Sequence, residues 1–149
     1  MEASRKLYNY LIKHNEDCDD IFEEFYELLN SRETENKLGC FIAINKILSV
    51  GRETRIVHYV NKIMPMMMKQ LKQQNTDLVE KAAECLGNLA KAGGSITADA
   101  VEKSIDQVLE WLKDKNPKSS DIKKYSAVLV LKEFCLKMPI ITFNKLFDS

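Results

Sequence analysis

Glycine and proline are scarce in this chain, at five and three among 149 residues. So few turn formers argue against a fold of hairpins, where most tight reversals need glycine or asparagine. Histidine is scarcer still: His14 and His58 are the two in the chain. No serine, cysteine or carboxylate pattern around either one reads as a catalytic triad, so both are expected to be surface or boundary residues. Cys18, Cys40, Cys85 and Cys135 are scattered singly, with no CxxC spacing. That distribution argues against a zinc site and fits free thiols in a reducing compartment. No excess charge of either sign exists, because 22 basic residues face 22 acidic ones. A global basic field of the kind that drives nucleic-acid binding is thereby excluded, as is an acidic tail. No apolar run approaches the ~18 residues needed to span a bilayer. The opening MEASRKLYNYLIK lacks the long apolar core of a signal peptide. The expected location is cytosolic or nuclear, the cytoplasmic one being preferred, and no direct membrane insertion is expected.

What is present is helical periodicity, in 149 residues of which 45% are apolar, enough for one compact domain or a short repeat array. Val101, Ile105, Val108 and Leu112 recur at helical spacing, as do Cys40, Ile44 and Ile47. Ala82, Leu86 and Leu89, then Ala127, Leu131 and Phe134, follow the same rule. No convincing strand is visible, and the fold class is all-α. Boundaries follow from capping chemistry. Asp77 with Glu80 reads as a capping box, and Gly93 with Gly94 closes that helix. Thr97 is the expected next N-cap, with Ile96 and Val101 as a hydrophobic staple.

Cys40, Ala82 and Ala127 superimpose as the small residue of three similar helices, with 42 residues from the first to the second and 45 from the second to the third. A repeat of ~40–47 residues made of helix pairs is the signature of a HEAT or armadillo solenoid. The expected organisation is a HEAT/armadillo-like α-solenoid of about three antiparallel helix pairs plus unpaired end helices, read as a fragment of a longer array. It divides into a partial repeat 1–15, repeats 17–50, 53–93 and 97–137, and the start of another at 139–149. In the middle repeat Pro65 is expected to kink the first helix, with Met64, Met67, Met68 and Leu71 packed beneath it. Residues 73–76 form its turn, and Val79, Leu86 and Leu89 form the buried stripe of its second helix.

Sites that could carry chemistry have plainer readings. LAKAGGS lacks the GxxxxGK[ST] pattern and follows a helix rather than a strand, so it reads as a helix end. The methionines could line an adaptable groove, but their spacing favours core packing. KDKNPKSSDIKK, from Lys113 to Lys124, reads as a solvated inter-helix loop. Cys40, Cys85 and Cys135 read as small buried hydrophobes, and Trp111 as either a packing anchor or an exposed contact. No glycine-rich nucleotide loop, DFG or catalytic-loop aspartate motif occurs, so no catalytic, cofactor or metal residue is assigned.

TRIVHYVNKIMP (Thr54 to Pro65), EKAAECLGNLAKAGGSITADAVEKSIDQVLEWL (Glu80 to Leu112) and SAVLVLKEFCLKMP (Ser126 to Pro139) together resemble the extreme amino-terminal HEAT repeats of the target-of-rapamycin kinases. The resemblance runs collinearly from about Ala3 to the end. It implies a non-catalytic scaffold segment of a large serine/threonine kinase of the phosphatidylinositol-3-kinase-related group, one that signals nutrient and growth status. It also implies partners: raptor-like or rictor-like subunits, a Rheb-type activating small GTPase, other parts of the same kinase, and a dimeric full-length complex lying peripherally on endomembranes. No cofactor and no nucleic acid are implied. The sequence departs from the family pattern after Thr97, where Ala100 and Lys103 stand in place of bulky aromatics. Asp99, Glu102 and Lys103, polar residues early in that helix, are the expected partner-binding residues. The competing class is a generic HEAT-repeat adaptor, of the phosphatase-scaffold or transport type, and a nucleic-acid-binding HEAT protein ranks below it.

Overall fold

The computed structural model describes residues 18–49, 60–72, 75–116 and 120–148. His14, His58 and the expected partial repeat 1–15 lie outside these. Among the described residues all regular structure is helical: α1 (Cys18–Asn30), α2 (Thr34–Ser49), α3 (Val60–Gln70), α4 (Thr76–Gly93), a 3-10 turn (Gly94–Thr97), α5 (Ala98–Lys113), α6 (Ser120–Lys137) and α7 (Pro139–Asp148). The all-α expectation is met.

The packing has a two-layer order. Helices α1, α3, α5 and α7 touch in succession and form one layer; α2, α4 and α6 touch in succession and form the other. Across the layers α1 packs on α2, α3 on α4, and α5 on α6. The first of these pairs reverses direction within residues 31–33, where the Ser31 hydroxyl accepts from the Glu33 amide at 3.2 Å and from Asn36 Nδ2 at 3.0 Å. So short a connection between touching helices makes them antiparallel. This arrangement is consistent with an α-solenoid.

Position within the second layer explains its residues. Helix α4 is enclosed by α2, α3 and α6, and a helix enclosed on several sides must be apolar around most of its girth. Leu78, Val79, Ala82, Ala83, Cys85, Leu86, Leu89 and Ala90 are accordingly all buried. The three superimposed small residues, Cys40, Ala82 and Ala127, are each fully buried. Gly87 is small for a specific reason: a Cβ there would stand 3.0 Å from Glu133 Cβ on α6, so its absence lets the two helices approach. Beside that contact runs a polar row across three helices. Asn88 Nδ2 donates to Asn45 Oδ1 at 2.8 Å, and Lys137 Nζ donates to Asn88 Oδ1 at 2.6 Å.

Carbonyls at helix ends have no partner within their own helix, and side chains distant in sequence supply one. Gln70 Nε2 donates to Leu29 O at 3.2 Å, and Ser126 Oγ donates to Leu71 O at 2.6 Å, both in buried surroundings.

Two capping expectations are corrected. Helix α4 begins at Thr76, inside the expected turn, and its N-cap is Asn75, whose Oδ1 accepts from Leu78 N at 3.2 Å. Asparagine competes well for that position, and Glu80 instead accepts a hydrogen bond from the Tyr125 hydroxyl at 2.7 Å. The Ile96–Val101 staple does not form. Gly94 takes φ +52 after the end of α4, and the 3-10 turn that follows leaves Ile96 64% exposed while Val101 is buried. Thr97 does precede α5, but its hydroxyl donates backward, to Ala90 O at 3.0 Å and Gly94 O at 2.8 Å, rather than capping α5.

Candidate protein-binding groove

Helices α3 and α5 are neighbours in the first layer, yet they leave a groove of about 500 Å³ between them. Its α3 wall is Met64, Pro65 and Met68. Pro65 lies inside the helix, where it has no amide to donate to the carbonyl of residue 61. Met64 is 1% exposed and Met68 8%, so these two methionines belong to the core and also border the groove. The expected packing of Met67 and Leu71 is likewise observed, both being buried.

The α5 wall is Asp99, Ala100, Lys103, Ser104 and Gln107, positions that fall on one face of a helix with 3.6 residues per turn. Small side chains at Ala100 and Ser104 give the groove its depth. The Ser104 hydroxyl is committed to its own helix, donating to Ala100 O at 2.8 Å. By contrast, among the described residues the side chains of Asp99, Lys103 and Gln107 form no hydrogen bond or ion pair. Asp99 sits in the first turn of α5, where the helix dipole favours a negative charge.

Of the three residues expected to bind a partner, Asp99 and Lys103 come together on the groove. Glu102 is exposed but does not line it, since its one-residue offset from Lys103 turns it about 100° around the helix. Gln107 was missed, although it continues the four-residue step from Asp99 through Lys103. Trp111 is a packing anchor, 4% exposed, with Lys72 Nζ 5.8 Å from its ring centroid. Leu112, expected on the buried stripe, is exposed.

The neighbouring junction, α5 with α7, is fastened instead: Lys145 Nζ lies 3.1 Å from Asp106 Oδ2. Just after α5, Asp114 pairs with Lys123 in the first turn of α6 at 3.3 Å. Cys40 and Cys85 are buried free thiols, and burial pushes both well above the usual thiol range, leaving them protonated and poor nucleophiles. Cys135 is half-buried. Among the described residues no group of three or more histidine, cysteine, aspartate or glutamate side chains could hold a metal ion. No helix among them is long and apolar enough to cross a membrane.

Comparison with known proteins bears on what this segment is. The chain is 27% identical over 127 residues, or 83% of its length, to the serine/threonine-protein kinase tor1 of Schizosaccharomyces pombe. It is 22% identical over 142 residues to the serine/threonine-protein kinase TOR2 of Saccharomyces cerevisiae, covering 85% of this chain. With the serine/threonine-protein kinase TOR of Arabidopsis thaliana it shares 23% identity over 121 residues, 77% of its length. The chain is related to a short segment of the target-of-rapamycin kinases. It spans only 5%, 6% and 4% of the lengths of these three relatives. No family model matches the chain, and no solved structure matches it.

Proposed function

We propose that this chain is a non-catalytic scaffold segment of a target-of-rapamycin-like serine/threonine kinase, a run of HEAT repeats that presents surfaces to other proteins. The observation that carries the reading is the α3–α5 groove, where Asp99, Lys103 and Gln107 stand uncommitted beside buried methionines. Uncommitted polar groups around an apolar concavity suit recognition of another protein. Support for the kinase context comes from relatives that match the chain over about a twentieth of their length. The partners that fit this reading are raptor-like or rictor-like subunits, a Rheb-type small GTPase, and other parts of the same kinase. The whole complex would be dimeric, cytoplasmic and peripheral on endomembranes.

Affinity purification of the full-length protein containing this segment, with Lys103 intact or changed to Glu, tests the reading by mass spectrometry of the co-purified proteins. Recovery of kinase-complex subunits, with at least one depleted severalfold by Lys103→Glu, supports it. Recovery of phosphatase subunits or transport cargo instead would replace it with the generic HEAT adaptor.

A further inference from the structure

Resting on that scaffold reading, we infer that the α3–α5 groove receives a short amphipathic helix of a partner protein, with an apolar anchor and, beside it, a basic and an acidic residue four positions apart.

The walls exclude the main alternative guest. Both are α-helices, whose backbone groups are spent on their own hydrogen bonds. An extended peptide entering the groove would shed water from its own amides and carbonyls, and the lining side chains able to replace it, Asp99, Lys103 and Gln107, stand four residues apart on one wall and leave the groups between them unpaired. A helical guest keeps its backbone bonds internally and meets the groove with side chains alone.

Spacing agrees with this. Asp99, Lys103 and Gln107 follow at four-residue steps, as do Met64 and Met68 on the facing wall, and each step is about 6 Å along a helix. One face of a helix laid along the groove repeats at the same interval, so its side chains register with both walls at once. Thioether side chains accept leucine, isoleucine, methionine or phenylalanine with small adjustments, and about 500 Å³ holds a few such groups.

Charge then selects among helices. Asp99 and Lys103 are of opposite sign and one turn apart, and neither is neutralised by a described neighbour. A guest of uniform sign gains at one and is repelled at the other, whereas a helix with lysine or arginine toward Asp99 and aspartate or glutamate toward Lys103 gains at both. The same opposition disfavours a nucleic-acid backbone.

The test presents the 149-residue chain to two display libraries, one of helix-constrained peptides and one of linear peptides with proline at every fourth position. Enriched binders are measured by fluorescence anisotropy against the unaltered chain and its Lys103→Glu and Ser104→Arg variants, each checked by circular dichroism. Helical binders carrying paired opposite charges are expected to dominate, to weaken about tenfold with Lys103→Glu, and to recover when the guest's acidic residue is exchanged for lysine. Ser104→Arg, which fills the groove, is expected to abolish binding. Should Ser104→Arg unfold the chain, the exchange of charges at the exposed position 103 still decides. Enrichment of linear binders, no binders from either library, or helical binders indifferent to both variants would overturn the inference. The affinity purification above separates the two readings: kinase-complex subunits recovered without helical binders leave the scaffold reading standing, and helical binders with unrelated subunits leave only the groove.

Discussion

Two helix seams of this chain, α4 against α6 and α3 against α5, are built in opposite ways. Between α4 and α6, Gly87 admits Glu133 at near-contact distance, Asn88 accepts from Lys137 while its amide donates to Asn45 on α2, and the flanking apolar side chains are buried. Between α3 and α5, small residues are met by a proline-bearing helix, and space remains with polar groups around it. Close approach and satisfied polar groups hold an array together, whereas unspent groups beside an open volume are what a partner can use. On the proposed reading, stability belongs to the first of these seams and recognition to the second.

Substitutions that attack the first seam should be costly, and those at the exposed polar positions of the second nearly silent for stability. Phe134→Ala, at a fully buried position on α6, is expected to destabilise by about 3–5 kcal/mol, read as a lowered urea midpoint. Gly87→Val places branched carbons against Glu133 and Lys137 and should cost about 1–3 kcal/mol by overpacking, seen as a lower Tm. Asn88→Ala removes two hydrogen bonds from the half-buried row, an expected loss of about 1–2 kcal/mol. Lys103→Glu, at an exposed position without a described partner, should move stability by no more than about 0.5 kcal/mol. A large loss there would mean that Lys103 is structural and erase the contrast between the seams.

The smallest effect concerns pH. The Glu80 carboxylate that accepts the Tyr125 hydroxyl raises that phenol above its ordinary value, so folding favours its protonated form. The contribution is therefore complete below the unfolded tyrosine range, near pH ~10, and is lost as pH rises through the higher folded value. Stability measured from pH 9 upward should fall less steeply in Tyr125→Phe than in the unaltered chain.

Helices were legible because period and composition are local properties. The spacing around Cys40, Ala82 and Ala127 found three buried helix faces, and Ala98–Lys113 was bounded correctly by the turn before it and the polar run after it. Caps were less legible. Asp77 and Asn75 are both residue types that start helices; Asn75 takes the cap, and Glu80 is bonded to Tyr125, 45 residues later. The groove was legible only in part, since Asp99 and Lys103 were marked as polar but nothing local told which face of α5 would meet α3. That same missing rotation brought in Glu102 and left out Gln107. Met64 and Met68 were read as core, and their second role beside the groove depends on Ala100 and Ser104 lying opposite.

The most direct measurement is site-specific photo-crosslinking in the full-length protein, with a photoreactive amino acid replacing either Lys103 at the open seam or Asp106 at the seam fastened to α7. A crosslink to another protein from position 103, and none from 106, is what separate stabilising and recognising seams predict. Equal crosslinking from both positions, or from 106 alone, would contradict it.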